Sequence, residues 1–207
     1  MGLRYDYTVD ASNTKTVYAR ILSWATPGGR VLDVGCDTGN LASCLAGLGM
    51  KAEGVEMDAE AAKKAGERLE NVYVGSIEDE AVLGRLSGQY DMIIFADVLE
   101  HLAYPEVTIK RMKALLSDGG VIVASLPNVA NFRVRFGLLF GRFDYTETGI
   151  LDRTHLRFFT RKTAPELFRK AGFNVLDVKP AATYMPWPLL LLWPELFATR
   201  FVIKAGL

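Results

Sequence analysis

Short apolar runs alternate along the chain with stretches whose apolar positions recur every three or four residues, the pattern of β-α-β units around a parallel sheet. Val17, Ile21, Leu22 and Trp24 share one face of a predicted helix over 13–25, which Pro27-Gly28-Gly29 stops. Strand one is predicted at 31–34, a helix from about residue 40, strand two at 52–57 with its helix at 59–69, and strand three at 72–74. Residues 91–96 form strand four, and Met92-Ile93-Ile94-Phe95 is apolar throughout, as a strand covered on both faces requires. A helix over 105–116 opens on a proline, Gly119-Gly120 ends it, and strand five follows at 121–124. A helix over 163–171 is closed by Gly172, with the last strands at 173–178 and 201–204. The reading is an α/β fold: a doubly wound, mostly parallel seven-stranded sheet with helices on both faces, in a single domain over 1–207.

Two stretches break this rhythm. Residues 126–161 are long, rich in arginine and aromatic residues, and predict a lid or acceptor-side insertion after strand five. Residues 181–199 form an apolar insertion containing Tyr-Met-Pro-Trp-Pro-Leu-Leu-Leu-Leu-Trp-Pro. Its charge-free part, 181–194, has 14 residues, short of the ~20 that a spanning helix needs, and Pro186, Pro188 and Pro194 interrupt it. A buried segment, a homodimer contact, or a face over 181–203 that meets lipid or a greasy substrate are the readings it allows.

Lys plus Arg (24) equals Asp plus Glu (24), so no global field draws the chain to DNA, and overall neutrality also argues against RNA. Cys36 and Cys44 cannot make a disulfide framework. The opening residues lack the apolar core of a signal peptide, so a reducing, cytoplasmic setting is the expectation. The charge is not even, however: between 133 and 162 seven Lys/Arg face three acids, a local excess that suits an anionic acceptor or else a solvated rim.

In a doubly wound sheet the ligand binds at the carboxyl ends of the strands, where strand order reverses. The turn after strand one reads Asp33-Val34-Gly35-Cys36-Asp37-Thr38-Gly39-Asn40, and Gly35 and Gly39 let backbone approach a ligand. Strand two ends in Glu56-Met57, an acid suited to two vicinal ribose hydroxyls beside a side chain able to pack on a purine. Ser76 and Ile77 follow strand three, Ser76 as an adenine-edge contact or as a helix cap. Strand four is followed by Asp97-Val98-Leu99-Glu100-His101, ionisable groups whose burial without purpose is costly. A nicotinamide-binding turn, G-x-G-x-x-G, needs glycine where Asp37 and Asn40 stand.

VLDVGCDTGN, GVEMD, YDMIIFADVLEHL and LLSDGGVIVASLPN, in this order, resemble the motifs of class I S-adenosylmethionine-dependent methyltransferases, whose domain is Rossmann-like. GRFDYTETGILDRTHLRFFTRKTAPELFRKAGF is similar to a bacterial branch near the ubiquinone-biosynthesis O-methyltransferases. The resemblance implies S-adenosylmethionine as donor. It implies Asp33 and Gly35 at the methionine end, Glu56 on the ribose with Met57 against adenine, Ser76 and Ile77 flanking adenine, and Asp97 and Val98 as the floor. Cys36, Asp37 and Gly39 complete the donor turn, with Asp37 where the family usually carries glycine.

O-methylation of a small hydroxylated acceptor, anionic or lipophilic, needs a base or a metal. His155 is the first candidate for base, oriented by Asp152, and His101 the second. Asp97, Glu100, His101 and His155 together can form an oxygen/nitrogen site for a divalent metal, a set that resembles the E-x-x-E-H plus distant His of small-RNA 2′-hydroxyl methyltransferases. The alternatives to small-molecule methylation are thus metal-assisted RNA methylation and a non-catalytic donor-binding module at a membrane. Phe132, Phe136 and Phe140 offer an aromatic wall at a spacing that also suits a core-facing helix, and Tyr5 and Tyr7 are candidates to fold over the donor.

Overall fold

The computed structural model describes residues 13–207, so Tyr5 and Tyr7 lie outside the described residues. The strands are β1 (Arg30–Val34), β2 (Lys51–Glu56), β3 (Asn71–Val74), β4 (Tyr90–Ala96), β5 (Leu116–Pro127), β6 (Asn174–Ala181) and β7 (Arg200–Gly206). They form one sheet in the order β3-β2-β1-β4-β5-β7-β6. The first five are parallel, and β7 runs antiparallel to both β5 and β6. The helices are α1 (Val17–Leu22), α2 (Asn40–Gly47), α3 (Ala59–Ala65), α4 (Glu80–Leu83), α5 (Pro105–Arg111), α6 (Phe132–Leu139), α7 (Thr163–Lys170), α8 (Trp187–Leu192) and α9 (Pro194–Phe197).

The doubly wound sheet follows from side-chain alternation. Val31, Met92, Ile94 and Val123 pack into one hydrophobic cluster, while Leu32, Ile93, Phe95 and Ile122 pack into another. Successive residues of one strand point to opposite faces, so a run apolar at every position can be buried on both. Each such side chain contributes about 1.5–3 kcal/mol on full burial. Side-chain caps trim the helices: Thr16 accepts from the Ala19 N–H and starts α1 at residue 17 rather than 13. The helix expected over 105–116 ends at Arg111 and tightens into a 3₁₀ turn through Leu115.

Strand order reverses between β1 and β4, and the loops leaving their carboxyl ends form the crevice that a ligand would use. Both insertions border it. The stretch after β5 carries α6 and then irregular chain, pinned back where Val129 bonds Phe159 and where the Leu156 and Arg157 N–H groups donate to the Glu100 carbonyl. Phe136 and Phe140 are exposed and stack at 5.0 Å, and Val134 is the buried residue of α6, so the 132/136/140 stripe does not face the core. The 181–199 insertion forms α8 and α9. Leu190 and Ala198 are buried against Phe201, whereas Leu191, Leu192 and Trp193 are exposed. No helix among the described residues is long and apolar enough to cross a membrane.

Candidate active site

The turn after β1 is shaped by unusual backbone. Gly35 has φ +72°, and a Cβ there would stand 2.6 Å from Cγ2 of Val98. Among the described residues, Asp37 (φ 48°) and Asp97 (φ 56°) are the two non-glycine positions in the left-handed region, one after β1 and one after β4. Left-handed backbone costs an L-residue about 1–2 kcal/mol and tends to collect at ligand sites. Gly39, at φ +81°, caps α2 and lets the turn approach the Ala65 backbone, where a Cβ would meet Cα at 3.2 Å.

Asp33 is buried, near the Ala42 N–H in the first turn of α2. Burial foremost, and then the charge of Glu56, raise its pKa to about 7, against the pull of that N–H. Cys36 has a packing role: its Sγ fills the space that Gly54 leaves, since a Cβ at Gly54 would stand 2.4 Å from it. Burial pushes the Cys36 thiol far above its ordinary range, which makes it inert.

Glu56 is aimed by two backbone donors. Its Oε2 accepts from the Asp37 N–H and its Oε1 from the Asp58 N–H, both at 2.8 Å. Each carboxylate oxygen can accept a second bond, so a pair of outward acceptor positions remains beside the glycine turn. Met57, next to it, is 71% exposed and available to a ligand. The third turn departs from the expectation. Ser76 Oγ accepts locally from the Glu78 N–H in the turn before α4, whose N-cap is Asp79 rather than Ser76. Ile77 is buried in the core with Val82 and Leu86, because the chain after β3 turns inward to seat α4.

At the end of β4, Asp97 is held by two partners. Ser125 Oγ donates to Oδ1 at 2.6 Å and accepts from the Asp97 N–H at 2.9 Å, while Arg200 Nε donates to Oδ2 at 2.6 Å. Val98 lies between this anchor and Gly35. Glu100 is fully buried, and neither of its carboxyl oxygens has a hydrogen-bond partner. Burial foremost, and then the charge of Asp97, hold its pKa well above the carboxylate range. His155 Nε2 lies 3.9 Å from Glu100 Oε1, and His101 and His155 meet edge to face with centroids 4.8 Å apart.

His155 Nδ1 donates to Ile150 O at 3.1 Å, whereas His101 Nδ1 lies 3.1 Å from Thr154 Oγ1 and 3.3 Å from Thr154 O. The carbonyl partner leaves Nε2 of His155 as its lone-pair atom. Burial lowers the His155 pKa. Asp152 was expected to orient His155; its Oδ1 instead accepts from the N–H and hydroxyl of Thr154, and the Ile150 carbonyl takes the orienting role.

Of the four-residue set expected to hold a metal, Glu100, His101 and His155 are brought together, with one candidate ligand atom from each within 4.8 Å of the others. Asp97 is committed to Ser125 and Arg200 instead. Ser125 and Arg200 were missed by sequence reasoning. A serine in a buried apolar strand was the available signal for the first; the second lies 103 residues from its partner.

The crevice fits the donor that the motifs imply: a glycine cradle that a Cβ would fill, an outward-facing glutamate, and a buried carboxyl at a helix start. A family model described as a methyltransferase domain matches residues 5–178. The ubiquinone biosynthesis O-methyltransferase of Burkholderia thailandensis is 29% identical over 166 residues, covering 77% of this chain and 70% of that protein. The crystal structure of a SAM dependent methyltransferase from Archaeoglobus fulgidus superposes with a TM-score of 0.68 at 16% identity, covering 95% of this chain and 94% of that one. Magnesium protoporphyrin IX methyltransferase from Synechocystis with bound SAH superposes with a TM-score of 0.67 at 17% identity, covering 98% and 90%.

Proposed function

The chain belongs to the methyltransferase-domain family, its donor is S-adenosylmethionine, and from that premise we propose that it methylates the hydroxyl oxygen of a small acceptor, with His155 receiving the proton. When bound, the donor supplies a methyl already activated on a sulfonium, so the protein's task is alignment and proton removal. Glu56 is assigned the ribose hydroxyls, because two backbone N–H groups fix its direction before any ligand arrives. Met57 is assigned the adenine face, Asp33 and Gly35 the methionine end, and Asp97 with Val98 the floor. Ser76 and Ile77 are left with supporting roles.

The observation that carries O-methylation is the buried acid and paired imidazoles beside the β4 terminus. The Ile150 carbonyl fixes the His155 tautomer, so Nε2 holds the lone pair. A proton taken there makes an imidazolium whose Nε2 lies 3.9 Å from the Glu100 carboxyl. His101, the less buried of the two rings, meets His155 edge to face. The free thiols Cys36 and Cys44 support a reducing, cytoplasmic setting.

The same cluster supports a second reading. A buried carboxyl without a hydrogen-bond partner, beside the carbonyl-oriented His155 ring and the His101 ring held at Nδ1 by Thr154, is a donor set for Mg²⁺, Mn²⁺ or Zn²⁺. Glu100, His101 and His155 would hold the ion, which would supply a Lewis acid to the acceptor oxygen.

The deciding experiment is methyl transfer from labelled donor to a panel of phenols, sugars and RNA ends, with and without chelator. The histidine-base reading expects a phenolic or alcoholic product, activity that survives chelator, and a His155→Ala variant that loses turnover while keeping donor affinity. Activity abolished by chelator and restored by Mg²⁺ or Mn²⁺ selects the metal reading. Full turnover in His155→Ala overturns both.

A further inference from the structure

A cavity of about 250 Å³ opens where the first turn of α6 faces the β6–α8 crossing and the α9–β7 junction. Its walls are riveted by two buried amides. Asn131 Nδ2 and Asn128 Nδ2 both donate to the Ala198 carbonyl at 2.9 Å, and Asn128 also donates to the Glu195 carbonyl at 3.0 Å. Asn131 Oδ1 accepts from the Arg133 N–H and so fixes the start of α6 on the same rivet. Buried polar groups satisfied in this way make a preformed wall.

The lining combines ring and thioether surface with positive charge. Phe132 and Phe197 stand 5.9 Å apart, and Met185 adds apolar surface, with the exposed Tyr184 at the mouth. The charged residues among its described lining are Arg133 and Arg200, with no acid. The Arg133 guanidinium lies 5.8 Å over the Phe132 ring. Arg200 also bonds Asp97, which places the cavity one side chain away from the floor of the donor crevice. A cationic guest would meet like charge here, and a polyol would leave its hydroxyls against rings. A flat ring carrying an anionic group matches both surfaces, because guanidinium pairs carboxylate in a planar fork. The volume suits one substituted ring, just below the usual range for ligand pockets.

We propose that this cavity is the acceptor site and that the acceptor is a small hydroxylated aromatic acid, its ring against Phe132 and Phe197 and its carboxylate on Arg133. The proposal rests on the methyl-transfer reading and narrows it to a substrate class.

The test is a matched pair, 3,4-dihydroxybenzoate and catechol, which differ by one carboxylate. Each is titrated calorimetrically into the full chain saturated with S-adenosylhomocysteine. The acid binds at least about tenfold tighter than catechol, the scale of one charge-assisted hydrogen bond, and Arg133→Gln removes most of that preference while catechol binding changes little. The kcat/KM values for methylation of the two compounds follow the same order. Equal affinity for the pair, no binding of either, or a preference unchanged in Arg133→Gln overturns the assignment. Failure of S-adenosylhomocysteine itself to bind is a separate result, which overturns the donor reading and this proposal with it.

Discussion

Arg200 Nε lies 2.6 Å from Asp97 Oδ2, joining the first residue of β7 to the left-handed residue that follows β4. Ser125 closes the arrangement from β5 by donating to the other carboxylate oxygen. Three strands therefore meet at one side chain, and that side chain is held in a backbone conformation few residues adopt unaided. The anchor sits between the donor crevice and the arginine-bearing cavity, so its rigidity bears on both.

Arg200→Met is expected to cost little stability and much activity. Both members of the pair are about one-third exposed, so the ion pair is worth roughly 0.5–1 kcal/mol to folding. Turnover should fall at least about tenfold, because Asp97 then has one anchor and alignment is the main catalytic contribution. Thermal unfolding and single-turnover rates of the same preparation check this. A large loss of stability with normal turnover would make the pair a structural rivet.

Much of this geometry was legible beforehand, and the parts that were not share a cause. The strands were visible because a two-faced burial demand writes itself into runs such as Met92–Phe95. Glu56 was visible because strand two must end near the glycine turn. Asp97 was visible as polar residue after an apolar strand, but its partner 103 residues away was not, since tertiary pairing leaves no local pattern. The Ile150 carbonyl that orients His155 is backbone, and no side-chain motif announces it. An apolar residue after a strand, such as Ile77, serves a ligand or a core equally well, and its packing with Val82 and Leu86 is a tertiary contact without a local pattern.

Glu56→Ala should weaken S-adenosylhomocysteine binding by about 1–3 kcal/mol, the value of hydrogen bonds to a charged group. The variant also releases the N–H groups of Asp37 and Asp58, both close enough to solvent for water to replace the carboxylate. Folding should therefore be nearly unchanged. Calorimetric titration reads the affinity directly, and wild-type affinity in the variant would remove Glu56 from the donor site.

Asp33, assigned to the methionine end of the donor, is expected to make donor affinity depend on pH. Its pKa in the folded chain is about 7, raised by burial above the ordinary value of about 4. The native state thus binds the proton more tightly than the unfolded chain does. The contribution of Asp33 to stability is present at low pH, falls by at most ~4 kcal/mol as pH rises from about 4 to 7, and is flat beyond. A donor with a cationic amino-acid end favours the ionised carboxylate and releases that proton. Affinity should rise up to about tenfold per pH unit below 7 and level off above it. Titrations in two buffers of different ionisation enthalpy would detect the released proton. In Asp33→Asn both the slope and the proton release should vanish, and a slope that persists would assign the effect to another group.

Glu100→Gln separates a catalytic cluster from an ordinary buried acid. The Glu100 carboxyl has no hydrogen-bond partner and is fully enclosed, so folding gains nothing from its acidity. An uncharged isostere relieves the burial penalty, and Tm should stay level or rise. Turnover should nevertheless fall by about 10²-fold or more, the scale of a lost acid-base participant, since the neighbour of His155 Nε2 can no longer ionise. Breaking a structural buried ion pair would instead lower stability by roughly 3–5 kcal/mol. Thermal unfolding and turnover move in opposite directions in the first case and together in the second, so a parallel loss of both would place Glu100 among the residues that only hold the fold.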